Sequence, residues 1–600
     1  MKELLHLARR AAQVAVREGL PGLRARFRAR RERMASGADY GRWAAAEAQR
    51  IAGASAEYAE RIGRMRSRPV ISLLMPTYNS NDAWLREAID SVIAQFYPHW
   101  ELCIADDAST DPSVRALLED YCTRDARIKV AYRDSNGHIS AATNSALALA
   151  SGEYVSLIDH DDRIAPHALA ELAARIADDP ALDLVYSDED KLDARGQRCD
   201  PFFKPDWSPD YLESCNYTAH LAIYRRAVAE RIGGFRTAFD GAQDYDFILR
   251  FTEQTQAIGH VAEVLYHWRA IPGSTASSMD DKRYVSAAAV RALKERLQRT
   301  GRTGRARESR LAACFDLRWA PPSQPLVSIV VPTAGADRQV RGRTVSLLAN
   351  CLQSIRQRTS YANYEIVVVD NSDLPEALAR EVSECGGRTV HFTEPEFNIS
   401  RKINLGAAAA RGDFLLLLND DVEVIARDWI EAMLEQGLKH GVGAVGAKLL
   451  YEDGRLQHVG VAHHEGLPDH VRKHYAREDP GYMFSTAAVR NYLAVTGACM
   501  LTRADLFRAA GGFEERFRVN YSDIDYCMKL RRMGLRVVYT PHAELFHFES
   551  ASRKAEVAPQ EIVLYRERWQ ARAARDPYYN SDYFRTSPPD FRLGGRISGS

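Results

Sequence analysis

One block of this 600-residue chain is written twice, about 260 residues apart. Asn144, Gly152 and Asp161 stand in NSALALASGEYVSLIDHDD, and Asn404, Gly412 and Asp421 stand at identical spacing in NLGAAAARGDFLLLLNDD. A packed core is satisfied by repeating hydrophobicity alone, so a repeat that keeps its carboxylates points to repeated chemistry. The chain is therefore constrained to fold as two copies of one domain.

The repeat extends both ways. ISLLMPTYN (71–79) and ELCIADDAST (101–110) are echoed by VSIVVPTAG (327–335) and EIVVVDNSD (365–373). GGF at 233–235 precedes Asp244, and GGF at 511–513 precedes Asp523. His267 follows the first of these aspartates by 23 residues and His547 follows the second by 24, which pairs the two histidines by offset. Apolar runs ending in acids read as buried strands. They alternate with helical periodicity such as WLREAIDSVIAQ (84–95). Alternating βα units imply a mostly parallel α/β sheet that collects ligands at the carboxyl ends of its strands, where these acids lie.

Balanced charge, with 80 Lys and Arg against 80 Asp and Glu, excludes a nucleic-acid-binding class and gives no sign of wholesale disorder. Nine cysteines without a CxxC pair indicate neither a disulfide framework nor a structural zinc site. No stretch reaches the ~18 apolar residues of a membrane span. Glu3, His6, Arg9 and Arg10 interrupt any export-type apolar core, so the catalytic domains are expected to face the cytosol. Residues 1–68 form a basic amphipathic helical arm, with RARFRARRERM at 24–34. The expected partner is an anionic membrane surface, and a solvated arm or partner-binding coil is the other reading. Domains are expected over 69–310 and 325–555, followed by a Pro-, Tyr- and Asp-rich tail over 556–600 that wraps a domain surface rather than forming core.

Asp159 and Asp161 flank His160 just after an apolar run, so both can converge on one hard divalent cation, magnesium or manganese, whose shell is completed by water and substrate phosphate. The second copy has Asn419, Asp420 and Asp421 there. A lone DxD is more often a helix cap. Its recurrence at matched strand ends favours the metal. Between these acids and the later aspartates the copies diverge, as acceptor-binding regions do. Trp207, Tyr211 and Tyr482 suit either sugar stacking or core, and the histidine-rich 458–474 segment lacks zinc spacing.

PTYN, ADDAST, DHDD, GGF and QDYDFILR in the first copy resemble the nucleotide-sugar glycosyltransferases of family 2, as do PTAG, VVVDNSD, LLNDDVEV, VTGACMLTR, GGFEE and SDIDYCMKLR in the second. The resemblance implies two tandem GT-A (nucleotide-diphospho-sugar transferase, Rossmann-like) domains that invert configuration. It places Asp106, Asp107, Asp370 and Asn371 beside the nucleotide and makes Asp161 and Asp421 metal ligands, with Asp159 assisting. It further implies that Asp244 and Asp523 are catalytic bases, that His267 and His547 complete the metal sites, and that Arg553 reaches the diphosphate. The implied cofactor is Mn2+ or Mg2+. The implied partners are nucleotide-sugar donors and a growing lipid-linked polysaccharide acceptor such as O-antigen. A DPYYN segment in the tail resembles tandem rhamnosyltransferases, so a dTDP- or GDP-rhamnose donor is expected, with UDP-sugars next. Two alternatives stay open: a processive two-site polymerase of an alternating glycan, and one catalytic domain joined to a glycan-binding one.

Overall fold

A computed structural model describes residues 40–270, 282–464, 466–548, 557–573, 575–581, 583–584 and 589–593. Most of the predicted membrane-binding arm (1–39) and Arg553 lie outside these residues. The chain divides into two compact units, whose described parts run over 40–317 and 318–593.

In the first unit, strands β1 (Ile71–Thr77), β2 (Trp100–Asp106), β3 (Ile128–Tyr132), β4 (Tyr154–Leu157), β5 (Arg163–Ile164), β6 (Leu184–Leu192), β7 (Arg198–Phe202), β8 (Ala222–Arg225) and β9 (Ile258–Arg269) form one sheet. Its order is β3-β2-β1-β4-β8-β6-β9-β5, with β7 beside β6. Next come β10 (Gly304–Glu308) and β11 (Phe315–Trp319). The second unit contributes β12 (Val327–Pro332), β13 (Asp337–Val340), β14 (Arg343–Ser346), β15 (Tyr364–Asp370), β16 (Arg388–His391), β17 (Phe414–Leu418), β18 (Val422–Val424) and β19 (Val442–Leu450). After these run β20 (Leu456–His458), β21 (Val461–His464), β22 (Leu467–His470), β23 (Arg490–Tyr492), β24 (Cys499–Arg503) and β25 (Arg536–His547). The large sheet of this unit has the order β16-β15-β12-β17-β24-β19-β25-β18, the same path strand for strand. In both sheets the first four strands are parallel and the β8 or β24 strand runs against its neighbours.

The central strands are apolar because both faces are covered. Every residue of β1 and β12 is buried. Each fully buried aliphatic side chain contributes about 1.5–3 kcal/mol. Close approach explains the repeated glycine. A Cβ on Gly152 would lie 2.6 Å from the Val70 carbonyl oxygen, and one on Gly412 would lie 2.6 Å from that of Leu326. The repeated asparagine and GGF belong together as well. Asn144 Nδ2 donates to the Phe235 carbonyl at 2.7 Å and its Oδ1 accepts from Phe235 N at 2.9 Å; Asn404 does the same with Phe513 at 3.0 and 2.9 Å. The preceding Gly234 and Gly512 both have φ of 62°, and a Cβ there would strike these asparagines. Glu101 and Glu365 form a second repeated clasp, accepting from Ser72 and Ser328 Oγ at 2.6 Å each.

Two segments differ from expectation. A helix over 40–52 and another at Ser55–Arg64 do not extend into solvent but pack on the first unit. Tyr58 and Ile62 join its core, and the Tyr58 hydroxyl donates to Glu171 at 2.8 Å. In the tail, the helix Pro559–Ala573 sends Tyr565 and Trp569 into the second unit's core, joined there by Tyr578. Its aromatic residues supply the burial that its few aliphatic ones do not.

Candidate active sites

In the first unit, Thr77, Asp106 and Asp159 stand at or just beyond the carboxyl ends of β1, β2 and β4, the edge where an open α/β sheet binds ligands. Asp106 accepts from Ser109 N at 3.2 Å and Ser109 Oγ at 2.5 Å. Asp107 pairs with Arg133 Nε at 2.7 Å and accepts from Gly137 N at 3.0 Å, tying β2 to the start of the helix His138–Leu149. Asn79 Oδ1 staples the neighbouring loop through Thr110 N at 2.8 Å. In the second unit Asp370 accepts from the exposed His391 at 2.8 Å, and Asn371 is exposed. Strand register pairs Asp106 with Tyr132 and Asp370 with His391, so the two aspartates are true counterparts.

Asp244 and Asp523 are half-buried at the start of the helices Gln243–Phe251 and Ser522–Arg532, where backbone N–H groups favour a carboxylate. Asn216 Nδ2 donates to Asp244 Oδ2 at 2.8 Å. Gly497 N donates to Asp523 Oδ2 at 2.7 Å and Ile524 N to its Oδ1 at 2.8 Å. Burial pushes both carboxyls above their ordinary range, and nearby Asp159 adds to the rise at Asp244. A raised carboxyl is a stronger base, as proton abstraction requires.

The strand-end acids differ between the units. Asp161 is raised by burial, with His160 opposing and Asp159 adding. Asp162 is fully buried and accepts from the Tyr266 hydroxyl at 2.6 Å and from Arg269 N at 2.7 Å. In the second unit Asp420 turns to Thr333 Oγ1 at 2.6 Å, and burial raises it to about 6. Asp421 faces His547 Nε2 at 3.1 Å. Burial raises this carboxyl, but the imidazole outweighs it and holds the group below its ordinary range. His547 Nδ1 meets Gln457 Oε1 at 2.6 Å, and its Nε2 lies 3.2 Å from Asn419 Nδ2. When the ring is neutral and its Nδ1 hydrogen goes to Gln457, the lone pair is on Nε2, the atom that a cation lying beside Asp421 would take. A cavity of about 500 Å³ opens beside His547, lined by Arg338, Arg341, Tyr451, Arg455 and His474. Arg338 and Arg341 come from the β13–β14 hairpin, an insertion with no counterpart in the first unit.

His267 is a correction. Parallel pairing sets His267 opposite Asp190 on β6, and antiparallel pairing sets it opposite Arg163 on β5. In the second unit His547 lies opposite Val422, one residue after Asp421, whereas Arg163 lies two after Asp161. Trp268, not His267, is thus the positional counterpart of His547. A one-residue slip turns a strand side chain to the opposite face. His267 Nδ1 instead meets buried Asp190 at 2.6 Å, which also accepts from Tyr40 and Arg198 at 2.6 Å each. The offsets are themselves unequal, 23 against 24 residues: counting 24 from Asp244 reaches Trp268, while the register of β6 with β9 and of β19 with β25 shifts by the same three residues in both units. Among the described residues no three or more His, Cys, Asp or Glu side chains converge into a ready-made metal cage.

The aromatic candidates resolve as packing. Tyr211 is buried and stacks on Tyr217 at 4.9 Å, with Trp207 tilted on the same ring at 6.3 Å, and Tyr482 stacks on Phe591 at 5.6 Å. The histidine-rich segment pairs buried His458 with half-buried His470, their Nδ1 atoms 2.9 Å apart. Sequence analysis missed His220, whose ring stacks on Tyr266 at 4.5 Å. No repeated motif marks it.

Residues 72–233 match the family described as Glycosyl transferase family 2, and residues 322–571 match Glycosyltransferase like family 2. A Bacillus subtilis (strain 168) protein described as a glycosyltransferase, EpsE, is 30% identical over 211 residues, covering 34% of this chain and 74% of that protein. The chain belongs to glycosyltransferase family 2. The O-antigen biosynthesis protein RfbC of Myxococcus xanthus is 38% identical over 558 residues, covering 90% of this chain and 42% of that protein. The uncharacterized protein y4gI of Sinorhizobium fredii (strain NBRC 101917 / NGR234) is 42% identical over 541 residues, covering 87% of this chain and 58% of that protein. The chain spans about half the length of these two longer relatives. Two family 2 domains in tandem agree with the duplicated GT-A-type sheet. No helix among the described residues is long and apolar enough to cross a membrane.

Proposed function

We propose that the chain is a tandem inverting glycosyltransferase that adds sugars from nucleotide-sugar donors to a growing lipid-linked bacterial polysaccharide such as O-antigen. The observation that carries this reading is the same in both units: an aspartate raised by burial at a helix start, Asp244 or Asp523, in a sheet whose strand ends present further acids. Each would take the proton of the acceptor hydroxyl as that oxygen attacks the anomeric carbon and the nucleoside diphosphate leaves from the opposite face. Asp106, with Asp107 behind it, and Asp370, with Asn371 beside it, would accept hydrogen bonds from base and ribose. Arg553 would approach the diphosphate. The similarity to RfbC supports a polysaccharide pathway, and the DPYYN segment supports a deoxyhexose donor such as dTDP- or GDP-rhamnose.

The donor set of the second unit fits a divalent cation. Asp421 Oδ1 and His547 Nε2 are 3.1 Å apart, near the ~3 Å between adjacent ligands of an octahedral ion bound at ~2.1 Å. Asn419 adds a neutral oxygen. In the first unit Asp159 and Asp161 supply oxygens. When bound, Mn2+ or Mg2+ would stabilise charge on the departing diphosphate.

A second reading, one catalytic and one glycan-binding unit, is favoured by Trp268 standing where His547 stands in the other unit. Product mass separates the two. A lipid-linked acceptor is incubated with manganese and a panel of nucleotide sugars, using wild type, Asp244→Asn and Asp523→Asn. Two different stalled intermediates are expected, each variant losing about 10²–10⁴-fold in its own step. Full product from one variant and none from the other would establish the single-site reading.

A further inference from the structure

Two positions decide where an imidazole can stand in each unit. The first is Trp268 in one unit and His547 in the other, as the register of β5 with β9 and of β18 with β25 requires. The second follows from β8 and β24, in which Ile223 lies opposite Ser156 and Leu501 opposite Leu416. Counting back three residues from each sets His220 against Ala498. Each unit therefore has one imidazole and one apolar side chain at these two places, with the assignment exchanged.

His220 is seated by specific contacts. Its ring lies nearly parallel to that of Tyr266, 12° between planes and 4.5 Å between centroids, and 6.0 Å from that of Trp268. The same Tyr266 hydroxyl accepts from Asp159 N at 3.3 Å and donates to Asp162. The His220 backbone is anchored by buried Lys204, whose Nζ donates to the His220 carbonyl and to Glu189 at 2.9 Å, while Lys204 N donates to Asp188 at 2.7 Å. The Tyr266 ring on which His220 stacks carries the hydroxyl that meets Asp159 N and Asp162, which sets the imidazole beside the strand-end acids. Nδ1 of His220 is buried and meets no protein donor or acceptor among the described residues. A fixed backbone, a stacked ring and an unpartnered nitrogen describe a ligand held in place by its surroundings.

We propose that His220, through Nδ1, is the nitrogen ligand of the first unit's divalent cation, taking the part that His547 takes in the second. This rests on the metal sites proposed above. Imidazole suits Mn2+ better than it suits Mg2+, so the first unit keeps a nitrogen contact although His267 is turned away to Asp190. The active centre is then conserved in composition but not in the element that supplies its imidazole.

Pulsed electron paramagnetic resonance on the full chain, loaded with Mn2+ and inorganic pyrophosphate, reads this directly as 14N coupling to the bound ion. In His547→Ala the coupling is expected to persist on the manganese that remains nitrogen-ligated. In His547→Ala/His220→Asn it is expected to vanish while the Asp-ligated ions stay bound more weakly, by ~10-fold or more. Coupling lost already in His547→Ala, with manganese still bound in both units, would overturn the assignment and leave His220 a packing partner of Tyr266. Coupling surviving the double variant would overturn it in favour of another nitrogen such as His160. Absence of bound manganese in wild type would overturn this assignment together with the metal sites themselves. Thermal unfolding of His220→Asn, expected within a few degrees of wild type, separates ligand loss from misfolding.

Discussion

The two units share a sheet path strand for strand, yet treat their buried histidines in opposite ways. In the first unit His260 sits between Asp188 at 3.0 Å and Asp206 at 2.9 Å. Burial opposes its charging, but the two carboxylates outweigh it and raise its pKa. In the second unit burial dominates. His463 and His470 are each pushed down to about 4 and His458 falls well below its ordinary value, with the imidazoles of His470 and His547 adding to its fall. A duplicated fold has preserved the backbone frame and the clasps that hold it, while the surroundings of its buried histidines diverged. What the frame needs is repeated with its partners.

That contrast breaks most readily at the proposed metal ligands. On that proposal His547→Ala is expected to weaken Mn2+ binding by the second unit at least ~10-fold, because it would remove a ligand rather than an outer contact. His267→Asn is expected to leave binding by the first unit unchanged and to lower its unfolding temperature, since Asp190 loses a buried partner. Equal losses of manganese affinity in the two variants, measured by isothermal titration, would mean that the register argument fails.

The frame itself is tested by Gly152→Ala and Gly412→Ala. The added methyl meets backbone atoms at 2.6 Å in both units, and for Gly412 also Ser328 N at 2.7 Å. Each is expected to cost its own unit about 1–3 kcal/mol by strain, read as a shifted denaturant midpoint. A loss confined to one unit would show that the copies no longer depend on the same close approach.

The smallest effect is on pH dependence. For the second unit's histidines the folded pKa lies below the unfolded ~6.5, so the unfolded state binds more protons on acidification. Stability is then present above ~6.5 and lost as pH falls toward about 4. For His260 the sign reverses: its contribution is present below ~6.5 and lost as pH rises through its raised folded value. Hydrogen exchange between pH 7 and 5 should therefore show the second unit loosening relative to the first. Below that range Glu101 and Glu365, both held to about 2, sustain the two sheets alike, and their contribution is lost as pH falls from ~4.3 through about 2. In Glu101 burial raises the pKa but the bonds from Lys129, Ser72 and Ser151 outweigh it. In Glu365 those from Arg388, Ser328 and Arg411 do the same.

Much of this architecture is legible in the linear chain because it rests on local periodicity and on residues that admit few substitutes. Apolar runs such as FLLLL became buried strands, and the acids lie at their carboxyl ends. The repeated Asn, Gly and GGF landmarks mark the duplication beside the acids, and in the fold they are clasps. Asn144 and Asn404 close on Phe235 and Phe513, and Gly152 and Gly412 let strands touch. Repetition reports necessity without saying whether folding or catalysis imposes it. The aspartate ahead of DFILR and DYCMKLR does stand at a helix start, where a sequence can place it, because capping is a short-range property.

The order of elements and the parallel half of each sheet thus follow from the sequence alone, since alternating βα units encode them, whereas the remaining strands pair mostly antiparallel, against the expectation of a mostly parallel sheet. The partner of each histidine was decided only by the tertiary structure. Side-chain facing in a strand has a period of two, so the one-residue difference between the offsets, 23 against 24, turns His267 to Asp190 and sets Trp268 in the place of His547. His220 meets Tyr266 from the residues ahead of β8, through a ring contact spanning 46 residues of chain that no local pattern encodes.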